Sequence, residues 1–147
     1  MRLHTVRRSD VERLAAWLPA VAEEAQCPRW TPPDALHEAI GGLHVLTNDD
    51  RSAFIAFQTA APEADAAQVD FLAVVPGRRR LGIGASMALG VERRLKRKAE
   101  RLYALVPASI GLALYFWLRL GYRPLARKDS PPMPSSNTSV WMVRSIP

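Results

Sequence analysis

The spacing of apolar residues along the 147-residue chain changes several times, and each change predicts a change of element. Leu3 to Val6 alternates and predicts a first strand. Val11, Leu14, Ala15, Leu18 and Val21 then recur at helical spacing, predicting a helix capped by Ser9 or Asp10 with Glu12 or Arg13 in its first turn. Cys27-Pro28-Arg29-Trp30-Thr31-Pro32-Pro33 is predicted as a loop, because adjacent prolines oppose helix. Asp34 to Ile40 predicts a short helix ended by Gly41-Gly42. His44 to Leu46 and Ala53 to Thr59 read as paired strands around the turn residues Asn48-Asp49-Asp50, and Gln68 to Val75 as a further strand stopped by Pro76-Gly77. Met87, Val91 and Leu95 form one stripe of a helix expected from Gly82 or Gly84 to about Glu100. Arg101 to Val106 predicts a strand, and Ser109 is the expected cap of a last helix through Leu120 with Gly121 just beyond it. Tyr122 to Leu125 and Val140 to Val143 close the pattern as strands around a Pro/Ser-rich loop, Ser130 to Ser139. Interspersed helices and strands predict a mixed α/β sheet.

Composition narrows the class. The length fits one domain over residues 1–147, and 48% hydrophobic residues suffice for a core, which excludes a disordered or fibrous chain. A lone Cys27 excludes a disulfide framework and a cysteine metal site, and points to a reducing compartment. The longest apolar run, Ile110 to Leu118, falls well short of the ~20 residues that cross a bilayer. Arg7-Arg8 leads into polar residues, unlike a signal peptide. A soluble, cytoplasmic protein without membrane partners is expected. The net charge of +6 concentrates in Arg78-Arg79-Arg80 and in the run Arg93 to Lys98. That second run lacks the interleaved aromatics of single-strand platforms and fits no DNA-binding motif, which argues against nucleic acid.

The segment from Leu72 to Ala85 combines a strand, a basic turn with Gly82 and Gly84, and the start of a helix. Such a junction is an anion site: the first helical amides lack internal partners, the helix dipole adds positive potential, and glycine lets phosphate oxygens approach the main chain. A dinucleotide fingerprint would need glycine where Met87 stands, and a Walker loop would need Gly-Lys-Ser/Thr. Both are absent.

Arg79-Arg80-Leu81-Gly82-Ile83-Gly84 matches the R/Q-x-x-G-x-G/A signature and resembles the GNAT superfamily of acetyl-CoA-dependent N-acetyltransferases. Leu72-Ala73-Val74 before it resembles that family's fourth strand. Ala113 to Tyr122, a helix ending in leucine-glycine-aromatic, resembles its second motif. The resemblance implies a GNAT fold: a mixed, mostly antiparallel central sheet flanked by about four helices, with splayed fourth and fifth strands. It implies that backbone amides of Leu81, Gly82, Ile83, Gly84 and Ala85 hold the pyrophosphate of acetyl-CoA. Main-chain groups of Leu72 and Val74 would pair with the pantetheine arm, and Arg79 and Arg80, with Arg78, would meet the 3′-phosphate. It also places a homodimer, formed through edge strands, among the expected assemblies.

Transfer to an amine needs a base for the ammonium and an acid for the leaving thiolate. Gln68, Asp70 and Leu72 alternate onto one face of their strand, and Asp70 is the ionisable member and candidate base. The family's proton-donating tyrosine is replaced by Trp117, and its asparagine seven residues earlier by Ile110. Tyr115 is the remaining hydroxyl on that helix and the candidate acid, although two residues place it about 200° around the helix from Trp117. Glu23, Glu24 and Trp30 fall near the loop that shapes the acceptor site in this family. His4, His37 and His44 show no ligand spacing, so no metal is expected. Two functions follow: an N-acetyltransferase acting on a primary amine by direct attack in a ternary complex, or a CoA-binding module of the same fold with little or no catalysis.

Overall fold

The computed structural model describes residues 2–40, 44–131 and 139–147, with the side chain at 127 excepted. The elements run β1 (His4–Thr5), α1 (Arg8–Ala15), α2 (Leu18–Glu24), α3 (Ala35–Ala39), β2 (His44–Thr47), β3 (Ala53–Thr59), β4 (Ala66–Val74), α4 (Ile83–Leu95), β5 (Arg101–Pro107), α5 (Gly111–Arg119), β6 (Arg123–Pro124) and β7 (Ser139–Ser145). The strands are ordered β1-β2-β3-β4-β5-β7-β6. β1 with β2, β2 with β3, β5 with β7 and β6 with β7 pair antiparallel, whereas β4 and β5 pair parallel. That parallel register runs from Ala66↔Arg101 to Val69↔Ala104 and stops there, although β4 continues to Val74 and β5 to Pro107. The result is the mixed, mostly antiparallel α/β sheet expected of the GNAT fold.

The chain divides into two compact units, Met1–Phe57 with Phe71–Arg93, and Gln58–Asp70 with Arg94–Pro147. In the first, Leu14, Leu18 and Val21 from α1 and α2 pack with Val45, Phe54, Ala56, Phe71 and Ala73. Trp30 lies edge-on to Phe54 at 5.1 Å and stacks on Phe71 at 6.2 Å. In the second, Ala66, Tyr103 and Trp141 form a buried cluster, with the Trp141 indole N–H donating to the Pro131 carbonyl at 3.0 Å. Among the described residues no helix is long and apolar enough to cross a membrane.

Besides shifts of one or two residues at strand ends and at α3, the helices differ from the sequence expectation in four respects. The first helix is two, because Trp17 leaves helical geometry at φ −131° and donates its indole N–H to the Arg51 carbonyl at 3.1 Å. Its cap position is Arg7, and Asp10 serves from the third helical position by accepting the Arg7 N–H at 2.8 Å. α4 ends at Leu95, where Arg93/Arg97 and Arg94/Lys98 would otherwise stack like charges four residues apart. α5 is preceded by Ile110 rather than Ser109, with no side-chain cap. The expected helix stop at Gly41-Gly42 and most of the Pro/Ser loop lie outside the described residues.

Candidate functional site

The turn between β4 and α4 has a backbone geometry that could hold an anion. Beyond Val74 the backbone is caught by Val75, whose N–H donates to the Ser52 carbonyl at 2.8 Å, and then winds through a single 3₁₀ turn over Pro76–Arg78. Arg80 and Gly82 adopt left-handed conformations at φ 66° and 76°. The Ser86 N–H closes the first turn of α4 on the Gly82 carbonyl at 3.0 Å, so the amides from Gly82 to Ala85 sit at the open positive end of a 13-residue helix. A Cβ added at Gly82 would meet no atom within 4 Å. The main chain therefore borders open space, as a phosphate-binding turn requires.

The three arginines before this turn are placed differently. Arg78 pairs with the Asp50 carboxylate at 3.1 Å. Asp50 also accepts the Ser52 hydroxyl at 2.6 Å and the Ser52 N–H at 3.2 Å. The Ser52 hydroxyl, then its amide and the Arg78 charge, hold the Asp50 carboxyl below its ordinary range against a partial burial cost. Arg79 bends back to donate Nε to the Val74 carbonyl at 3.1 Å, with Glu24 at 3.8 Å from its other end. Arg80 is exposed and has no partner among the described residues.

A second network braces the β2–β3 turn. Arg51, at φ 57°, donates Nε to Asp10 at 2.8 Å and a terminal nitrogen to the Asp49 carbonyl. Asp10 is 3% exposed, and burial alone would raise its pKa; the Arg7 amide and the Arg51 guanidinium outweigh that and lower it. His4 Nε2 contacts the Asp49 carboxylate, which gives that histidine a partner the sequence spacing did not indicate.

Along β4 the alternation is as expected: Ala67, Val69, Phe71 and Ala73 are buried, while Gln68, Asp70, Leu72 and Val74 are half-exposed. Asp70 accepts Gln58 Nε2 on both carboxylate oxygens at 2.9 Å and Gln68 Nε2 at 3.0 Å. Gln58, absent from the sequence candidates, is thus a partner of the proposed base. It lies twelve positions away, and only the strand arrangement brings the two side chains together.

On α5, Tyr115 is 58% exposed with the Arg119 guanidinium 5.7 Å from its ring centre, whereas Trp117 is 6% exposed. Trp117 meets Phe116 at 5.1 Å and the fully buried Tyr122 at 4.8 Å, both edge-on. The two side chains face apart, as the helical period requires. A cavity of about 360 Å³ opens beside Trp30, lined also by Arg29, Pro32, Asp34 and Glu38. Its carboxylates are therefore Asp34 and Glu38; Glu23 and Glu24 do not line it. Cys27 is half-buried, and burial pushes its thiol pKa up, away from nucleophile chemistry.

No protein-family model matches the chain, and no curated protein matches it. Solved structures do. The chain is 18% identical to smu.2055 from Streptococcus mutans UA159, with TM-score 0.82 and all of both chains covered. It is 17% identical to an acetyltransferase of the GNAT family from Staphylococcus aureus Mu50, with TM-score 0.76 and 99% of each chain covered. It is 14% identical to the PaiA N-acetyltransferase from Thermoplasma acidophilum, solved with coenzyme A, with TM-score 0.77 and 98% of each chain covered. At these identities the likeness shows the fold, which is that of the GNAT acetyltransferases.

Proposed function

We propose that this chain is a single-domain, cytoplasmic N-acetyltransferase that moves acetyl from acetyl-CoA to a primary amine by direct attack in a ternary complex. The observation that carries the reading is the turn itself: amides from Gly82 to Ala85 with no partner among the described residues, open space against Gly82, and Arg80 just before them in the chain. These groups fit a diphosphate, and the family signature falls on the same residues. Leu81, Gly82, Ile83, Gly84 and Ala85 would hold the pyrophosphate through their amides, with Arg79 and Arg80 offered to the 3′-phosphate. Leu72 and Val74 offer main-chain groups on β4 for the pantetheine arm, and one of their amides would polarise the thioester carbonyl.

Acetyl-CoA supplies the thioester on which the amine acts. Asp70, oriented by the two neutral amides of Gln58 and Gln68, takes the proton that the amine loses, directly or through one water. Tyr115 offers the hydroxyl that returns a proton to the departing thiolate. Thiol release from acetyl-CoA in the presence of a panel of primary amines tests this, with Asp70→Asn and Tyr115→Phe as the variants that lose turnover. Amine-dependent release that is unchanged in both variants would reject these roles.

A second reading has one observation in its favour. Trp117 is locked in an aromatic cluster where the family's acid stands, which suits a CoA-binding module without turnover. Binding of acetyl-CoA with no thiol release for any amine would favour it.

A further inference from the structure

The two glutamines beside Asp70 have chemistry left over once they have bonded it. A carboxylate carries only acceptors, so an amide that bonds it must present its NH2 end. Gln58 Nε2 lies 2.9 Å from both oxygens of Asp70, and Gln68 Nε2 lies 3.0 Å from Oδ1. Each glutamine therefore has its donor end committed and its carbonyl oxygen, Oε1, to spare. Amide bond lengths of about 1.23 and 1.33 Å keep that oxygen within roughly 2.5 Å of its own Nε2, and so within about 5.5 Å of the carboxylate. Neither Oε1 meets a donor among the described residues, where the one buried side-chain nitrogen or oxygen without a partner is Arg101 Nε. Both oxygens thus reach solvent, as the half-exposed state of Gln58, Gln68 and Asp70 allows. β3 and β4 are sheet neighbours, and Gln68 and Asp70 share one face of β4, so the three side chains stand together on one side of the sheet.

The result is a carboxylate flanked by two amide oxygens, an arrangement that suits a cation with several N–H donors. A primary ammonium carries three on one nitrogen. With bonds of about 2.8 Å in tetrahedral directions it joins oxygens about 4.6 Å apart, within the limit that the amide geometry sets. We infer that Gln58 and Gln68, through their Oε1 atoms, are specificity-determining residues that together with Asp70 recognise the acceptor as a primary ammonium ion. The inference rests on the transferase reading, in which Asp70 then takes the proton, and it narrows the acceptor to amines that are cationic when they bind. A secondary ammonium has two N–H donors and a hydroxyl has one, so each leaves an acceptor unmatched. A quaternary ammonium has the charge and no donor.

The test is NMR of the side-chain amides of the full chain, titrated at constant ionic strength with propylammonium, N-methylpropylammonium and trimethylpropylammonium, with and without coenzyme A. Signal pairs missing in Gln58→Met and Gln68→Met assign the two amides, and melting curves show whether each variant folds. Propylammonium should shift both pairs. N-methylpropylammonium should bind about 2- to 10-fold more weakly, the size of one hydrogen bond, and trimethylpropylammonium more weakly again. Each folded variant should lose propylammonium affinity by a similar factor. Equal affinity for propylammonium and trimethylpropylammonium would show attraction by charge alone and overturn the assignment, and this comparison on the wild type holds whatever the variants do. Unchanged propylammonium affinity in either folded variant, or no response of the wild type to any of the three ions, would overturn it as well. Thiol release from acetyl-CoA with a panel of primary amines separates this inference from the transferase reading. Glutamine-dependent binding of propylammonium without thiol release for any amine would sink the transferase reading and leave the recognition standing. Thiol release that favours primary amines equally in the wild type and both variants would keep the transferase and remove the role of the glutamines.

Discussion

Replacing Gly82 by alanine separates the two demands that the β4–α4 turn makes on this position. The first is conformational. Gly82 sits at φ 76°, where a side chain costs about 1–2 kcal/mol. Alanine recovers about 0.4–1 kcal/mol through the less flexible unfolded chain. No atom lies within 4 Å of the added Cβ, so no clash adds to this. The net destabilisation is about 1 kcal/mol, or roughly 2–4 °C in Tm for a chain of this size. The second demand is access to the main chain. A methyl group in the space beside Gly82 displaces a phosphate oxygen from the helix amides, and one lost charge-assisted hydrogen bond is worth about 1.5–3 kcal/mol, or about 10- to 150-fold in Kd. Melting curves and calorimetric titration with acetyl-CoA on Gly82→Ala measure both. Gly77→Ala is the control: its Cβ is equally unobstructed, and its φ lies outside the left-handed range. The expected outcome is a small loss of Tm with a large loss of affinity at Gly82, and neither loss at Gly77. A Gly82→Ala protein that binds acetyl-CoA as the wild type does would refute the claim that this space receives the ligand.

Three other outcomes follow from the same structure. Asp10→Asn should cost about 1–2 kcal/mol near neutral pH, because it removes the charge that Arg51 and the Arg7 amide satisfy. Since the folded-state pKa of Asp10 is lowered from its ordinary 3.8, that stability is present above 3.8 and lost as pH falls through the folded value. Urea melts of the two proteins should therefore converge in acid, and a gap independent of pH would contradict the assignment. Asp70→Asn should lower kcat by about 10²- to 10⁴-fold while acetyl-CoA affinity holds, and a drop of less than about tenfold would remove Asp70 as the base. Trp117→Ala should lower Tm by about 10 °C through a loss of about 3–5 kcal/mol of packing, whereas Trp117→Phe should keep both fold and turnover. Loss of turnover in a Trp117→Phe protein of normal Tm would show a chemical role for the indole.

Much of the architecture was legible because it depends on local pattern. The two-residue alternation of Gln68, Asp70 and Leu72 placed one face of β4, and the stripe of Met87, Val91 and Leu95 placed α4, all three of them buried. The turn between β4 and α4 was legible from glycine at a strand-to-helix junction. What escaped depends on contacts distant in sequence. Nothing local marks Asp50 as the partner of Arg78, Gln58 as the partner of Asp70, or His4 as the partner of Asp49. The break between α1 and α2 escaped for the same reason: apolar periodicity runs unbroken from Val11 to Val21, and the deciding bond joins Trp17 to Arg51, 34 positions away. The charge run at 93–98 misled in the other direction, since helical periodicity continues where like charges stop the helix.

The most direct test of the account is the melting temperature with and without acetyl-CoA at about 100 times its Kd, with ATP as the phosphate control. Saturation at that level stabilises by about 2.7 kcal/mol, which for this chain is a rise of roughly 5–10 °C. The account predicts that rise with acetyl-CoA and little change with ATP. An unchanged Tm at millimolar acetyl-CoA, or an equal rise with ATP, would contradict the claim that the Gly82 turn is an acyl-CoA site.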